Sequence, residues 1–179
     1  MGNLLSSLYS KFFETKINII MLGLDAAGKT TIIDLLKPGG LYFIHNEVFN
    51  AELIDFENFK IWNLDVGRCD TYRRFWKFFT PKIDGLIFVI DSNDKERDED
   101  ALDELKKTLD DENYKECPIL VFANKQDLDG SFTRDEIIEK FEMNKIKERP
   151  WNVQGCSGIN RQGIKEGFDW IKETLNKNN

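Results

Sequence analysis

Residues 23–30 have the types and spacing of a phosphate-binding loop. Gly23-Leu24-Asp25-Ala26-Ala27-Gly28-Lys29-Thr30 fits the pattern G-x-x-x-x-G-K-[ST]. The glycines let backbone N–H groups turn inward around phosphate oxygens, and a helix opening at Lys29 adds positive potential. Lys29 suits the β- and γ-phosphates of a nucleotide, and the Thr30 hydroxyl suits Mg²⁺. An apolar run precedes the loop and a helical pattern follows it, which is the context the motif requires. Without that context the same residues would read as a Gly-rich turn with an incidental lysine.

A second group lies about 95 residues further on. Asn124-Lys125-Gln126-Asp127 follows the apolar run 119–123. In a doubly wound sheet, ligands bind beyond the carboxyl ends of the strands. A carboxylate there accepts hydrogen bonds from the N1–H and 2-amino group of guanine. Adenine lacks that donor pair, and a site built around buried polar partners rejects the analogue that cannot satisfy them. The Lys125 stem can pack on the base plane. Four polar residues after a strand are by themselves a turn; their pairing with the loop at Lys29 makes them a base reader. Asp65, just past the run Phe59–Leu64, is the third site residue, holding Mg²⁺ through water. Alone it would be a strand-end aspartate capping a turn.

These groups need strands and helices to hold them. Strands are expected at Ile17–Leu22, 49–56, Phe59–Leu64, 86–90, 119–123 and 151–156. Helices are expected at 29–36, Asp98–Leu109, 133–141 and 164–175. Lys37-Pro38-Gly39-Gly40 stops the first helix. Thr133 followed by Glu136 is a capping-box pattern. Glu57-Asn58 is the expected turn of a hairpin. Alternating strands and helices imply an α/β fold: a mostly parallel six-stranded sheet with one antiparallel edge strand and helices on both faces.

Length and composition agree. The 179 residues make one domain. A net charge of −7 argues against a general nucleic-acid binder, which needs a basic stripe. Three cysteines, Cys69, Cys117 and Cys156, give neither a disulfide frame nor a zinc site and suit a reducing compartment. No apolar run reaches the ~20 residues that span a bilayer, and no signal peptide is expected. The acidic residues 98–103 and 110–112 read as a solvated helix face.

The first fifteen residues form a separate pattern. Met1-Gly2-Asn3-Leu4-Leu5-Ser6 fits N-myristoylation on Gly2. Leu4, Leu8 and Phe12 recur on one row, with Leu5, Tyr9 and Phe13 beside them, as in an amphipathic helix. One acyl chain holds a membrane only marginally, so the apolar face would be the second signal. The alternative is a helix packed permanently on the domain without lipid. The expected organisation is an N-terminal amphipathic membrane-binding helix over 1–15 and a nucleotide-binding domain over 16–179.

Together these residues resemble the ADP-ribosylation factor (Arf) family of small GTP-binding proteins. The resemblance covers essentially the whole chain and is most specific at residues 23–31, 85–94 and 121–127. Met1-Gly2-Asn3 and Glu166-Gly167-Phe168-Asp169-Trp170 also look like the family. The resemblance implies a Ras-like phosphate-loop GTPase fold and a monomer. It implies GTP or GDP bound with Mg²⁺ by Asp25, Ala26, Ala27, Gly28, Lys29, Thr30, Thr31, Asn124, Lys125 and Asp127. Ser157-Gly158 aligns with the last base-contacting loop, where a backbone N–H meets the guanine oxygen. The family also implies a cytoplasmic protein reversibly attached to Golgi or another endomembrane, acting in vesicle traffic with exchange factors and effectors.

The sequence departs from the family on the switch segments. The family's D-V-G-G-Q is Asp65-Val66-Gly67-Arg68-Cys69 here. The second glycine normally brings an N–H to the γ-phosphate, and the Gln orients the attacking water. Arg68 adds a side chain at the first position and reads as a solvated surface arginine, or as one that acts in cis on the phosphate charge. Cys69 is a weak donor and acceptor at the second. The first switch, P-T-I-G-F, becomes His45-Asn46-Glu47-Val48-Phe49, with Asn46 at the position of the Mg²⁺-binding Thr. Its amide oxygen is a possible ligand. His45, the single histidine, reads as an exposed loop residue or as a water-positioning group. The family's aromatic patch falls on Phe49, Leu64 and Phe79, with Leu64 in place of Trp and Trp62 nearby on the same strand. Nucleotide binding with slow or impaired hydrolysis is the expectation; a non-cycling GTP-binding adaptor is the alternative. A different phosphate-loop enzyme, such as a nucleotide kinase, has no need of the guanine reader.

Overall fold

A computed structural model describes residues 17–36, 41–45, 50–56, 59–64 and 82–177. The helix expected over residues 1–15, with Gly2, falls outside the described residues, as do 37–40, Asn46, Phe49, Glu57, Asn58, Asp65, Arg68, Cys69 and Phe79.

The strands are β1 (Ile17–Leu22), β2 (Leu41–His45), β3 (Asn50–Phe56), β4 (Phe59–Leu64), β5 (Gly85–Asp91), β6 (Ile119–Asn124) and β7 (Trp151–Gly155). They form one sheet in the order β2-β3-β4-β1-β5-β6-β7. β1 pairs in parallel with β4 and β5, and the parallel ladder continues through β6 to β7. β3 runs antiparallel to β4, and Phe56 pairs with Phe59, which leaves two residues for the connection.

The sheet has seven strands rather than the expected six. Leu41–His45 pairs antiparallel with β3, from Leu41 opposite Ile54 to His45 opposite Asn50. The one strand of reversed direction therefore lies one place in from the edge. His45, expected in a loop, is the last residue of β2.

The helices are α1 (Lys29–Leu35), α2 (Asp98–Leu109), α3 (Arg134–Lys140) and α4 (Ile164–Lys177). Successive strand residues point to opposite faces, and both faces of the central strands are apolar. Ile20, Leu22, Leu86, Phe88, Val121 and Ala123 join one buried cluster with Ala101 and Leu105 of α2 and Ile137 of α3. Ile19, Met21, Ile87, Val89, Leu120 and Phe122 join the other, with Ile32 and Ile33 of α1 and Phe168, Ile171 and Leu175 of α4. Trp62 is buried in the first cluster, and its indole N–H donates to Asn18 Oδ1 at 3.3 Å. Gly167 lets α4 settle on the sheet: a Cβ there would lie 2.3 Å from Phe122 Cε1.

Thr133 and Glu136 form the expected capping box at the start of α3. In α2, Asp98, Glu99 and Asp100 occupy the first turn and Lys106 and Lys107 the last, complementing the helix dipole. The acidic face is solvated at Glu99, Asp100 and Asp103, but Asp98 is buried and pairs with Lys140 at 2.5 Å. No helix among the described residues is long and apolar enough to cross a membrane.

Candidate functional site

The loop 23–28 leaves β1 at its carboxyl end and enters α1. Gly23 has φ +138, and a Cβ there would lie 2.2 Å from Val89 O, so only glycine lets the loop turn this close to β5. Gly28 has φ +96 at the N-cap of α1, where a Cβ would meet Asn124 Nδ2 at 2.3 Å. Ala26 is also left-handed, at φ 59. No side chain caps α1 and no acid sits in its first turn. Lys29 folds back over the loop: its buried Nζ donates to the carbonyls of Gly23 and Leu24 at 2.8 and 2.9 Å. Thr30 and Thr31 are exposed beside it.

Asn124 ends β6 and is only 2% exposed. Its Nδ2 donates to Ala27 O across 97 positions of sequence at 2.8 Å. Its Oδ1 accepts from the Gly158 N–H at 3.0 Å and from Cys156 Sγ at 3.7 Å. One carboxamide thus ties the phosphate loop to the loop after β7. Within the Ser157-Gly158 loop, the Gly158 N–H is thus directed at Asn124. Gly158 also packs on α1, with a Cβ there falling 3.1 Å from Thr31 Cγ2.

Lys125 is left-handed at φ 66. Ser131 Oγ donates to its carbonyl at 2.8 Å, and its Nζ pairs with Asp91 Oδ2 at 2.6 Å. Gln126 is held by its own N–H to Cys156 O (3.0 Å) and by its amide to Phe132 O (2.8 Å). Asp127 is exposed, and Ser157 Oγ donates to its Oδ1 at 2.6 Å. The Asn160 N–H in turn donates to Ser157 Oγ at 3.1 Å. The carboxylate is oriented by its neighbours and its outer face is open, which suits a partner that offers two adjacent donors.

Every described site residue from the sequence therefore gathers at the carboxyl edge of β1, β5, β6 and β7. Asp65, Asn46 and Cys69 are not among them because they lie outside the described residues. Two participants carry no motif of their own. Asp91 pairs with Lys125 from the end of β5. Arg97, the N-cap residue of α2, reaches Asp25 in the phosphate loop at 3.2 Å. Asp91 falls within the family-like stretch 85–94; nothing local marks Arg97 as a partner of a residue 72 positions away. Burial pushes the Asp94 carboxyl up, but hydrogen bonds and charge from Arg97 outweigh it and hold the group below the ordinary range. Burial raises the Cys156 thiol well above its usual range, so it stays protonated behind the site.

Among the described residues, no three His, Cys, Asp or Glu side chains cluster to hold a metal. Mg²⁺ bound chiefly by nucleotide phosphates, waters and one Thr hydroxyl needs no such cage, and Thr30 is exposed next to Lys29 at the start of α1.

The whole-chain architecture and sequence have counterparts. The model of the ADP-ribosylation factor family matches residues 1–175. Among solved structures, the small GTPase Arl6 (BBS3) of Trypanosoma brucei, with the nucleotide analogue GppNp bound, is 30% identical in sequence. The match covers 91% of this chain and 99% of that one, with a TM-score of 0.75. With its phosphate loop, base-reading motif and sheet order all in place, the chain belongs to the ADP-ribosylation factor family of small GTP-binding proteins.

Proposed function

We propose that the chain is a guanine-nucleotide switch of the Arf type that acts at membranes in vesicle traffic and hydrolyses GTP slowly. The observation that carries the nucleotide reading is the Asn124 carboxamide. It fixes the phosphate loop through Ala27 O and the last loop through the Gly158 N–H, while Asp127 stands exposed beside it. Lys29 exchanges its carbonyl partners for phosphate oxygens, and Asp127 accepts from the guanine edge. Thr30, with Asp65 through water and Asn46 in place of the family's Thr, would hold Mg²⁺. The ion supplies charge neutralisation on the phosphates.

Slow hydrolysis rests on Arg68 and Cys69, which stand where the family has Gly and Gln. Supplying missing catalytic parts is worth roughly 10³–10⁵ in related enzymes. Membrane attachment rests on Gly2 and the apolar rows of residues 1–15, giving a cytoplasmic protein that binds endomembrane reversibly. The same switch substitutions favour the second reading, a GTP-binding adaptor that does not cycle.

The test is to purify the full chain without added nucleotide, release what is bound and identify it by chromatography, with Lys29→Ala as control. Bound GTP favours the adaptor. Bound GDP followed by measurable single-turnover hydrolysis favours the switch. Retention of adenine rather than guanine nucleotides overturns the base assignment. Intact-mass analysis of the protein from its native cell tests Gly2: an unmodified N-terminus removes the lipid.

A further inference from the structure

Asp25 is the single acidic side chain in the phosphate loop 23–30. It follows directly on Gly23 and Leu24, whose carbonyls hold Lys29 Nζ at 2.8 and 2.9 Å. The carboxylate is thus carried on the lip over which the phosphate-seeking lysine closes. A carboxylate turned toward a bound polyphosphate opposes binding by like-charge repulsion.

The fold brings a counter-charge from the other side of β5. Arg97 Nη1 lies 3.2 Å from Asp25 Oδ1. The guanidinium is fixed before it reaches Asp25. Its Nε and Nη2 both contact Asp94 Oδ2 at 2.7 Å, and its backbone N–H donates to Asp94 Oδ1 at 3.2 Å. Asp94 is itself in the turn that leaves β5, where its N–H donates to Asp91 O at 3.4 Å. A planar fork with five donors can serve both carboxylates at once; a lysine ammonium, as a point charge, holds neither geometry.

We propose that Arg97 is a positioning residue for the phosphate end of the bound nucleotide: anchored on Asp94, it draws the Asp25 carboxylate away from the phosphates. This rests on the guanine-nucleotide reading and adds a residue that the phosphate-loop motif does not contain. Removing Arg97 frees Asp25 to face the phosphates, so the penalty grows with phosphate charge. It is largest for a GTP analogue, smaller for GDP and smallest for GMP. The two side chains are 36% and 67% exposed, so water and salt screen the pair. An exposed pair of this kind contributes at most about fivefold in affinity.

The test measures dissociation of fluorescent GppNp, GDP and GMP from the full-length wild type, Arg97→Ala, Asp25→Asn and the double variant. At low salt, Arg97→Ala should release GppNp about fivefold faster than wild type, GDP less so and GMP least of all. The difference should fade at high salt. Asp25→Asn should cancel the effect of Arg97→Ala, because the charge that Arg97 restrains is gone. Equal acceleration for all three nucleotides, or no rescue in the double variant, would show a merely structural role through Asp94 and overturns the proposal. So does an Arg97→Ala chain that matches wild type. A wild type that binds none of the three nucleotides overturns the guanine-nucleotide reading together with this one.

Discussion

Replacing Asn124 by Ala should destabilise the fold far more than its place in a ligand motif suggests. The side chain is 2% exposed and makes two hydrogen bonds to backbone groups, Ala27 O at 2.8 Å and Gly158 N at 3.0 Å. Truncation leaves a buried carbonyl and a buried N–H without partners. Each orphan costs ~1–3 kcal/mol, which gives roughly 2–6 kcal/mol for the pair. Domains have only about 5–15 kcal/mol in hand. For this chain length the loss corresponds to a fall in Tm of about 4–24 °C. The assay is urea unfolding followed by tryptophan fluorescence at one fixed nucleotide concentration, because bound ligand adds to apparent stability. Asn124→Asp is the informative companion. It keeps the acceptor toward Gly158 but sets an acceptor against the Ala27 carbonyl, so it should be at least as unstable. An Asn124→Ala chain within about 1 kcal/mol of wild type, with an unchanged denaturant slope, would refute the bridging role.

Four further outcomes follow from the packing and the helix cap. Gly167→Ala should cost about 1–3 kcal/mol despite improving helix propensity, because its Cβ would fall 2.3 Å from Phe122 Cε1; a stabilised variant in thermal melts would contradict this. Thr133→Ala should cost α3 about 0.5–2 kcal/mol by removing the capping box. The hydrogen bond from the Thr133 N–H holds the Glu136 carboxyl below its ordinary 4.5. Its contribution is therefore full above that pH and is lost as pH falls through the lower folded value, so Glu136→Gln should flatten the acid limb of a circular-dichroism titration. Burial, followed by the Asp84 charge, pushes the Cys117 thiol up to about 11, so iodoacetamide at pH 8 should label it only after unfolding; peptide mapping that finds it labelled in the folded chain would contradict this.

How much of this was legible depended on whether the cause was local. β1, β4 and α2 carry their own apolar periodicity, and their limits in the sequence are their limits in the structure. The capping box at Thr133 is a three-residue interaction and reads directly. β2 did not, because Leu41–His45 is a short run against a Pro-Gly-Gly stop, and only pairing with β3 makes it a strand. The phosphate and base motifs were legible because each is a continuous string whose chemistry is local. What joins them was not. The Asn124 to Ala27 bond spans 97 positions and the Arg97 to Asp25 pair spans 72. Both exist only because β1, β5 and β6 end at one edge of the sheet. Asp98 shows the same limit in reverse: within a run of acids it looks solvated, and its burial against Lys140 depends on how α3 docks.

The polar residues of the base motif divide by the kind of partner each holds, and that division predicts which measurement each will move. The Asn124 side chain bonds backbone atoms of two other loops and that of Gln126 the Phe132 carbonyl within its own loop, so their loss falls first on stability. Asp127 is exposed, and the Ser157 hydroxyl donates to it at 2.6 Å. A hydroxyl can turn to serve an amide oxygen as readily as a carboxylate. Asp127→Asn should therefore unfold within about 0.5 kcal/mol of wild type. Its effect should appear in the base instead. The new N–H₂ opposes the guanine 2-amino group, and affinity for guanine nucleotides should fall by about 10²-fold or more. The same N–H₂ can donate to a 2-oxo group, so the nucleotide of xanthine, which carries one, should regain part of the loss. Competition binding with the two nucleotides decides the matter. Unchanged preference for guanine would mean that Asp127 does not read the base, and that the open face of its carboxylate serves some other contact.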